Sequence, residues 1–222
     1  MSRRVRHLPA ALAVAAAAAM GVTGTTTPAS ADTTPPGQIT INLVTVNGSG
    51  CAAGTAAVAL SPDDTAFTVT YSSYLAQAGG GVSPVDFRKN CQLVVNVHVP
   101  QGFTYAIAEA DYRGFASLAD GASAVERANY YFQGDPQTAY VTHNFSGPLG
   151  DDWEQVDSTP VASLVFAPCG VERDFDINTE LRVNAGTQNP STTSFITMDS
   201  TDGSITTTYH FAWKTCPSAA HR

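Results

Sequence analysis

The run from Arg173 to Gly186, RDFDINTELRVNAG, decides the fold. Phe175, Ile177, Leu181 and Val183 fall on one parity with Thr179, while Asp174, Asp176, Asn178, Glu180, Arg182 and Asn184 fall on the other. Successive side chains of a strand point to opposite faces, so this pattern predicts a strand with one dry face and one wet one.

Working outward, the same alternation recurs. Phe67, Val69 and Tyr71 alternate with Thr68 and Thr70, and Leu93, Val95, Val97 and Val99 alternate with Gln92, Val94, Asn96 and His98. Near the C-terminus Ile205, Tyr209, Phe211 and Trp213 alternate with Ser204, Thr206, Thr208, His210 and Lys214. In ITINLVTVNG the apolar parity shifts between Leu43 and Val44, which predicts a bulge. About ten strand candidates, punctuated by Gly, Pro, Asn and Asp, predict an all-β antiparallel sandwich of Greek-key or jelly-roll type. No long amphipathic helix is visible, only short helical turns, and no fixed-period repeat suggests a propeller or solenoid.

Residues 1–31 have the pattern of a secretory signal: Arg3, Arg4 and Arg6 precede an apolar run, and Ala29-Ser30-Ala31 places the cut before Asp32. The apolar run of roughly 15 residues is shorter than the ~20 that span a bilayer, so no membrane insertion is expected after cleavage. Ser2-Arg3-Arg4 hints at the twin-arginine route, but Arg6 and His7 favour the general secretory path. Residues 32–38 form a polar, proline-containing lead-in, and 39–222 make one domain of ordinary size. Without the three leader arginines, 8 basic side chains face 19 acidic ones. A surface so acidic argues against nucleic acid or an anionic membrane as partner. With 43% apolar and 14% charged residues the chain can fill a core.

An even count of cysteines in an exported chain points to disulfides. Of the three pairings open to Cys51, Cys91, Cys169 and Cys216, the sequential one, Cys51 with Cys91 and Cys169 with Cys216, clips each half of the chain once. Loops of about 40 to 48 residues would each contribute roughly 4 kcal/mol in the chain-entropy model. The close cysteine spacing of a structural zinc site is missing.

Pro84 to Pro100, PVDFRKNCQLVVNVHVP, carries the adjacent basic pair Arg88-Lys89. Ser83 suits an N-cap, Pro84 a first helical position and Asp86 a capping box. Arg88 and Lys89 then fall at the end of a short helix, where positive charge meets the negative end of its dipole. This accounts for every residue without a binding patch.

Motifs for chemistry are few. G-x-S-x-G, phosphate-binding glycine loops and H-E-x-x-H are absent, and AGGGVS (Ala78 to Ser83) reads as a loop. No catalytic residue and no cofactor-binding residue is assigned. Glu109 and Asp111, two apart on a strand, share a face and are carboxylate-pair candidates, with Arg113 as a neighbour on an ordinary exposed face the simpler reading. His98 and His210 sit on outer strand faces and His143 near a turn, with no two-ligand clamp between them. Calcium is the one cofactor with candidate ligands, Asp199 with Asp202 and Asp151 with Asp152, although neither stretch matches the twelve-residue calcium loop and turn chemistry also explains them. Asn47-Gly48-Ser49 and Asn144-Phe145-Ser146 fit the N-glycosylation pattern.

The aromatic residues give the remaining lead. Tyr112 and Phe115, then Tyr130, Tyr131 and Phe132, and Tyr140 lie on predicted strands, and Tyr131 must point away from Tyr130 and Phe132. Exposed rings on a sandwich stack on sugars or anchor a protein, which makes Tyr112, Tyr130 and Tyr131 the candidate ligand contacts.

The run from Asn47, NGSGCAAGTAAVALSPDDTAFTVTYSSYLAQAGGGVSPVDFRKNCQL, followed by VHVPQGFTYAIAEADYRGFASL and then ANYYFQG with the late cysteines, resembles a family of secreted bacterial and fungal proteins catalogued as a domain of unknown function. The resemblance implies one exported domain with cysteines in these places and no particular activity. The expected function is a secreted module that binds a polysaccharide or a protein partner. The alternatives are a small hydrolase with a carboxylate pair, or a structural surface protein without a small ligand.

Overall fold

The computed structural model describes residues 39–138, 140–198 and 206–217. The expected signal peptide with its cut before Asp32, the lead-in, and Asp199, Asp202 and Ile205 lie outside the described residues.

Twelve strands form among the described residues, against the ten or so expected. The first six are β1 (Thr40–Asn47), β2 (Ala56–Leu60), β3 (Ala66–Tyr71), β4 (Leu75–Ala78), β5 (Arg88–His98) and β6 (Phe103–Leu118). The rest are β7 (Ser123–Phe132), β8 (Val141–Ser146), β9 (Leu149–Ser158), β10 (Asp174–Asn184), β11 (Ser194–Thr197) and β12 (Thr207–Thr215). β4 and β11 have four residues each, too few to display a period.

All pairings are antiparallel. The first sheet runs β1-β5-β10-β7-β8; the second runs β2-β3-β12-β6-β11-β4, with β9 on the far edge of β6. The decisive run is the centre of the first sheet: β10 pairs β5 from Asp174 to Arg182 and β7 from Phe175 to Asn184. Its dry face, Phe175, Ile177, Thr179, Leu181 and Val183, is buried against the other sheet. Each such apolar side chain contributes about 1.5–3 kcal/mol on burial. The wet face departs from expectation: Asp176 and Glu180 are 4% and 3% exposed.

The bulge in β1 lies where the parity shift puts it. Leu43 pairs Val95 and Thr45 pairs Val94, leaving Val44 unpaired and outward. A second bulge, invisible in the sequence, falls in β6, where Glu109 pairs His210 but Ile107 pairs Phe211. Both disulfides form as expected, Cys51–Cys91 and Cys169–Cys216, spanning 40 and 47 residues.

The helical turn before Cys91 is a 3-10 turn, Pro84–Phe87, and Ser83 makes no side-chain cap. The Asp86 N–H donates to the Ser83 carbonyl at 3.0 Å instead. Arg88 is already extended, so the basic pair is not held by a helix dipole. Lys89 pairs with Asp86 at 2.7 Å, and Arg88 turns to Glu180 on the opposite face.

Candidate functional site

A cleft of about 340 Å³ opens between the two sheets at one end of the sandwich. Its floor is core: Ile107 of β6, Tyr130 and Phe132 of β7, and Phe175 of β10. The Tyr130 ring lies 5.7 Å from Phe175 and 6.3 Å from Tyr209. Two connections wall the cleft. After β7 the chain turns tightly, with Gly134 at φ 90 and the Asp135 N–H donating to the Phe132 carbonyl at 3.0 Å. Arg173 pins this turn through the Gln133 carbonyl at 3.1 Å and Asp135 at 3.3 Å. After β9 the Thr159 N–H bonds the Ala108 carbonyl at 2.8 Å, and a 3-10 turn, Val161–Ser163, leads past Val165. Asp135, Thr138, Thr159 and Ser163 supply polar groups at the cleft wall. Burial pushes the Tyr130 phenol above its ordinary value, opposed by a Thr159 hydrogen bond.

The three tyrosines singled out in the sequence separate. Tyr112 is fully buried among Tyr209 and the core, so no ligand reaches it, and its candidacy is withdrawn. Its parity in β6, set by the bulge before it, turns it inward. Tyr130 and Tyr131 both line the cleft although they point to opposite faces. Tyr131 accepts a hydrogen bond from Gln137 at 3.2 Å.

Glu109 and Asp111 do share the outer face of β6, and β12 brings His210 beside them. One ligand atom from each lies within 4.8 Å of the others, a carboxylate and imidazole set of the kind that takes a divalent ion. These groups also satisfy one another: His210 bonds Asp111 at 3.0 Å, and the Ser158 hydroxyl donates to Glu109 at 2.7 Å. Arg113 pairs with Glu154 across the strand rather than with either acid. His98 meets Glu172 at 3.4 Å. Asp151 and Asp152, the calcium candidates in the described residues, lie within β9, where successive side chains diverge, and not in a loop.

Sequence reasoning missed one carboxyl pair. Glu126 of β7 lies on the inward parity and is fully buried, with no hydrogen-bond partner on either carboxyl oxygen. Asp157 of β9 faces it from the other sheet, and His143 of β8 sits between, 2.8 Å from Asp157 and 3.9 Å from Glu126. Burial, reinforced by the charge of Asp157, holds Glu126 well above the usual carboxylate range. Asp157 is raised too, by burial, against the opposing pull of His143. Neither acid lines the cleft. The sole signal in the sequence was the parity of Ala124, Glu126, Ala128 and Tyr130, which puts an acid on an otherwise apolar face.

The profile of the family described as Domain of unknown function (DUF4360) matches residues 37–216. A fungal relative, the "Uncharacterized secreted protein" of Arthroderma benhamiae, is 35% identical over 181 residues, which is 82% of this chain and 73% of that one. Among solved structures, the enzymatically active domain of bacteriophage CBA120 tailspike protein 4 is similar at 12% identity and a TM-score of 0.26. That match covers 78% of this chain but 19% of the tailspike chain, and a likeness so slight bears on neither fold nor function. The two disulfides and the secreted relative mark the chain as extracellular.

Proposed function

The chain belongs to the DUF4360 family, a domain of unknown function, and from that premise we propose that it is a secreted binding module that takes a short stretch of polysaccharide in the Tyr130 cleft. What supports this reading is how the cleft divides its surfaces. The floor of Ile107, Tyr130, Phe132 and Phe175 matches the apolar face of a sugar ring, and Asp135, Thr138, Thr159 and Ser163 offer partners to its hydroxyls. A volume of about 340 Å³ suits one or two rings. The test is co-sedimentation of the mature chain with a panel of insoluble polysaccharides. Retention on one of them should fall sharply in Ser163→Trp, which fills the cleft from an exposed position, and in Tyr131→Ala. No retention on any polymer, or equal retention of both variants, would sink the reading.

A second reading, a small hydrolase, is favoured by Glu109 and Asp111, a carboxylate pair that shares the outer face of β6 beside His210. The same polymers assayed for new reducing ends separate the two readings. Release that is lost in Glu109→Gln would favour hydrolysis.

A further inference from the structure

The outer face of the first sheet carries a charge balance that the protein leaves unfinished. Arg88 of β5 lies directly opposite Arg182 of β10, and Arg127 of β7 lies directly opposite Glu180. All three guanidinium groups converge on the one Glu180 carboxylate. Arg88 donates from Nε to Oε2 at 2.6 Å, Arg127 donates from Nε to Oε1 at 3.0 Å, and Arg182 meets Oε1 through its Nε. One carboxylate neutralises one arginine, so the cluster keeps a net charge of two positives in a chain whose formal charge is -8.

Like charges held this close repel, and among the described residues no other acid pairs with them. Asp86 is taken by Lys89 at 2.7 Å. Asp176, the next acid toward the start of β10, is four residues from Glu180, about 13 Å along a strand. That exceeds the screening length of about 8 Å at physiological salt. Asp174 is farther still.

The anchoring also leaves donors over. Arg88 holds Glu180 with its Nε and one terminal nitrogen and Arg127 with its Nε, which leaves the other terminal nitrogens of the three arginines for another acceptor. The side chains of Arg88 and Arg182 are 47% and 43% exposed. Arg127 is steadied by the Tyr140 ring, 4.4 Å from its guanidinium carbon. Beside Arg182 runs an open groove of about 540 Å³, lined by Pro84, Phe87, Ser123, Val125 and Asn184 among others, and Phe87 is 48% exposed. Fixed forks of N–H donors next to an exposed aromatic ring match a sugar that carries an oxyanion.

We propose that Arg88, Arg127 and Arg182 form a binding site for the carboxylate or sulfate groups of an acidic polysaccharide, with the sugar rings lying along the Phe87 groove. Glu180 acts as a positioning residue that holds the three forks at a common height. The site is on the outer face of the first sheet, apart from the Tyr130 cleft, and does not rest on the reading of that cleft.

The experiment is a calorimetric titration of the mature protein with polygalacturonate, with dextran sulfate and with neutral dextran at low and high salt. The expected result is binding to at least one polyanion, weakening as salt rises, with none to neutral dextran; which polyanion binds tells carboxylate from sulfate. Arg182→Gln should bind roughly tenfold more weakly, the loss of one charged hydrogen-bonding partner. Ser123→Asp, which adds a negative charge at the groove without touching Glu180, should weaken binding in the same direction and covers the case in which Arg182→Gln does not fold. Ser163→Trp in the cleft should leave polyanion binding unchanged. Absence of polyanion binding, or wild-type affinity in a folded Arg182→Gln and in Ser123→Asp, would overturn the proposal.

Discussion

At the scale of single residues, Gly114 leaves no room for a side chain. It stands in β6 opposite Trp153 of β9, and a Cβ there would overlap the Thr197 carbonyl oxygen of β11 as well as the Trp153 ring. The carbonyl is backbone and the ring is packed on Phe145 at 5.2 Å, so neither can give way. Gly114→Ala should therefore cost about 2–3 kcal/mol in denaturant unfolding, the ordinary price of overpacking. Gly150, in the same pair of strands, has nothing within 4 Å of the Cβ position. Gly150→Ala should stay within about 0.5 kcal/mol of wild type. Equal effects at the two positions would mean that β6, β9 and β11 do not close on one another as described.

Elements were legible to the extent that one face is dry. β3, β5 and β10 bury every second side chain, so their alternation survives in the sequence, and so does the β1 bulge, because a register shift moves the apolar parity. What pairs with what was not legible. β10 inserts between β5 and β7, and β9 and β12 flank β6, through contacts that leave no local pattern. This is why Glu126, His143 and Asp157 went unseen: they come from three strands, and their approach depends on strand order alone. Glu180 was legible as a wet-face residue, but its arginines come from its own strand and both neighbours, so their sharing of one acid was not. The second disulfide is the main tie at the element scale. Cys169 fixes the long connection between β9 and β10 to the end of β12, where the Ala167 N–H also reaches the Tyr105 carbonyl at 2.8 Å. Replacing both Cys169 and Cys216 by serine should lower stability by about 2–5 kcal/mol while leaving the far-UV strand signal intact at low temperature. An unchanged unfolding midpoint would show that this connection needs no covalent tie.

For the whole molecule, two kinds of carboxyl surroundings impose opposite pH dependences on one folding equilibrium. On the outer face, burial alone would raise Glu180, but hydrogen bonds from Arg88, then Arg182 and Arg127, outweigh it and hold the carboxyl below its ordinary value of 4.5. A carboxyl lowered by folding contributes stability that is present above the unfolded value and lost as pH falls through the folded one. Between the sheets Glu126 of the first and Asp157 of the second are raised, first by burial, and burial also raises Asp176 on the outer face. Their contribution is full below the ordinary carboxylate value and is lost as pH climbs through the folded values, because the unfolded chain releases those protons more readily. The two slopes meet near the ordinary carboxylate range, so stability should peak at mildly acidic pH and decline toward neutrality. Glu126→Gln keeps the size of the side chain and removes the larger inner titration. In that variant the decline above the peak should flatten and the peak should move to higher pH, while the loss on the acid side, to which Glu180 contributes, stays. Urea unfolding midpoints measured across a pH series for both proteins decide the matter. A wild-type midpoint that keeps rising to neutral pH, or a variant that follows the same curve, would mean that the Glu126 carboxyl is solvated or paired in the folded protein and that the two sheets do not enclose it.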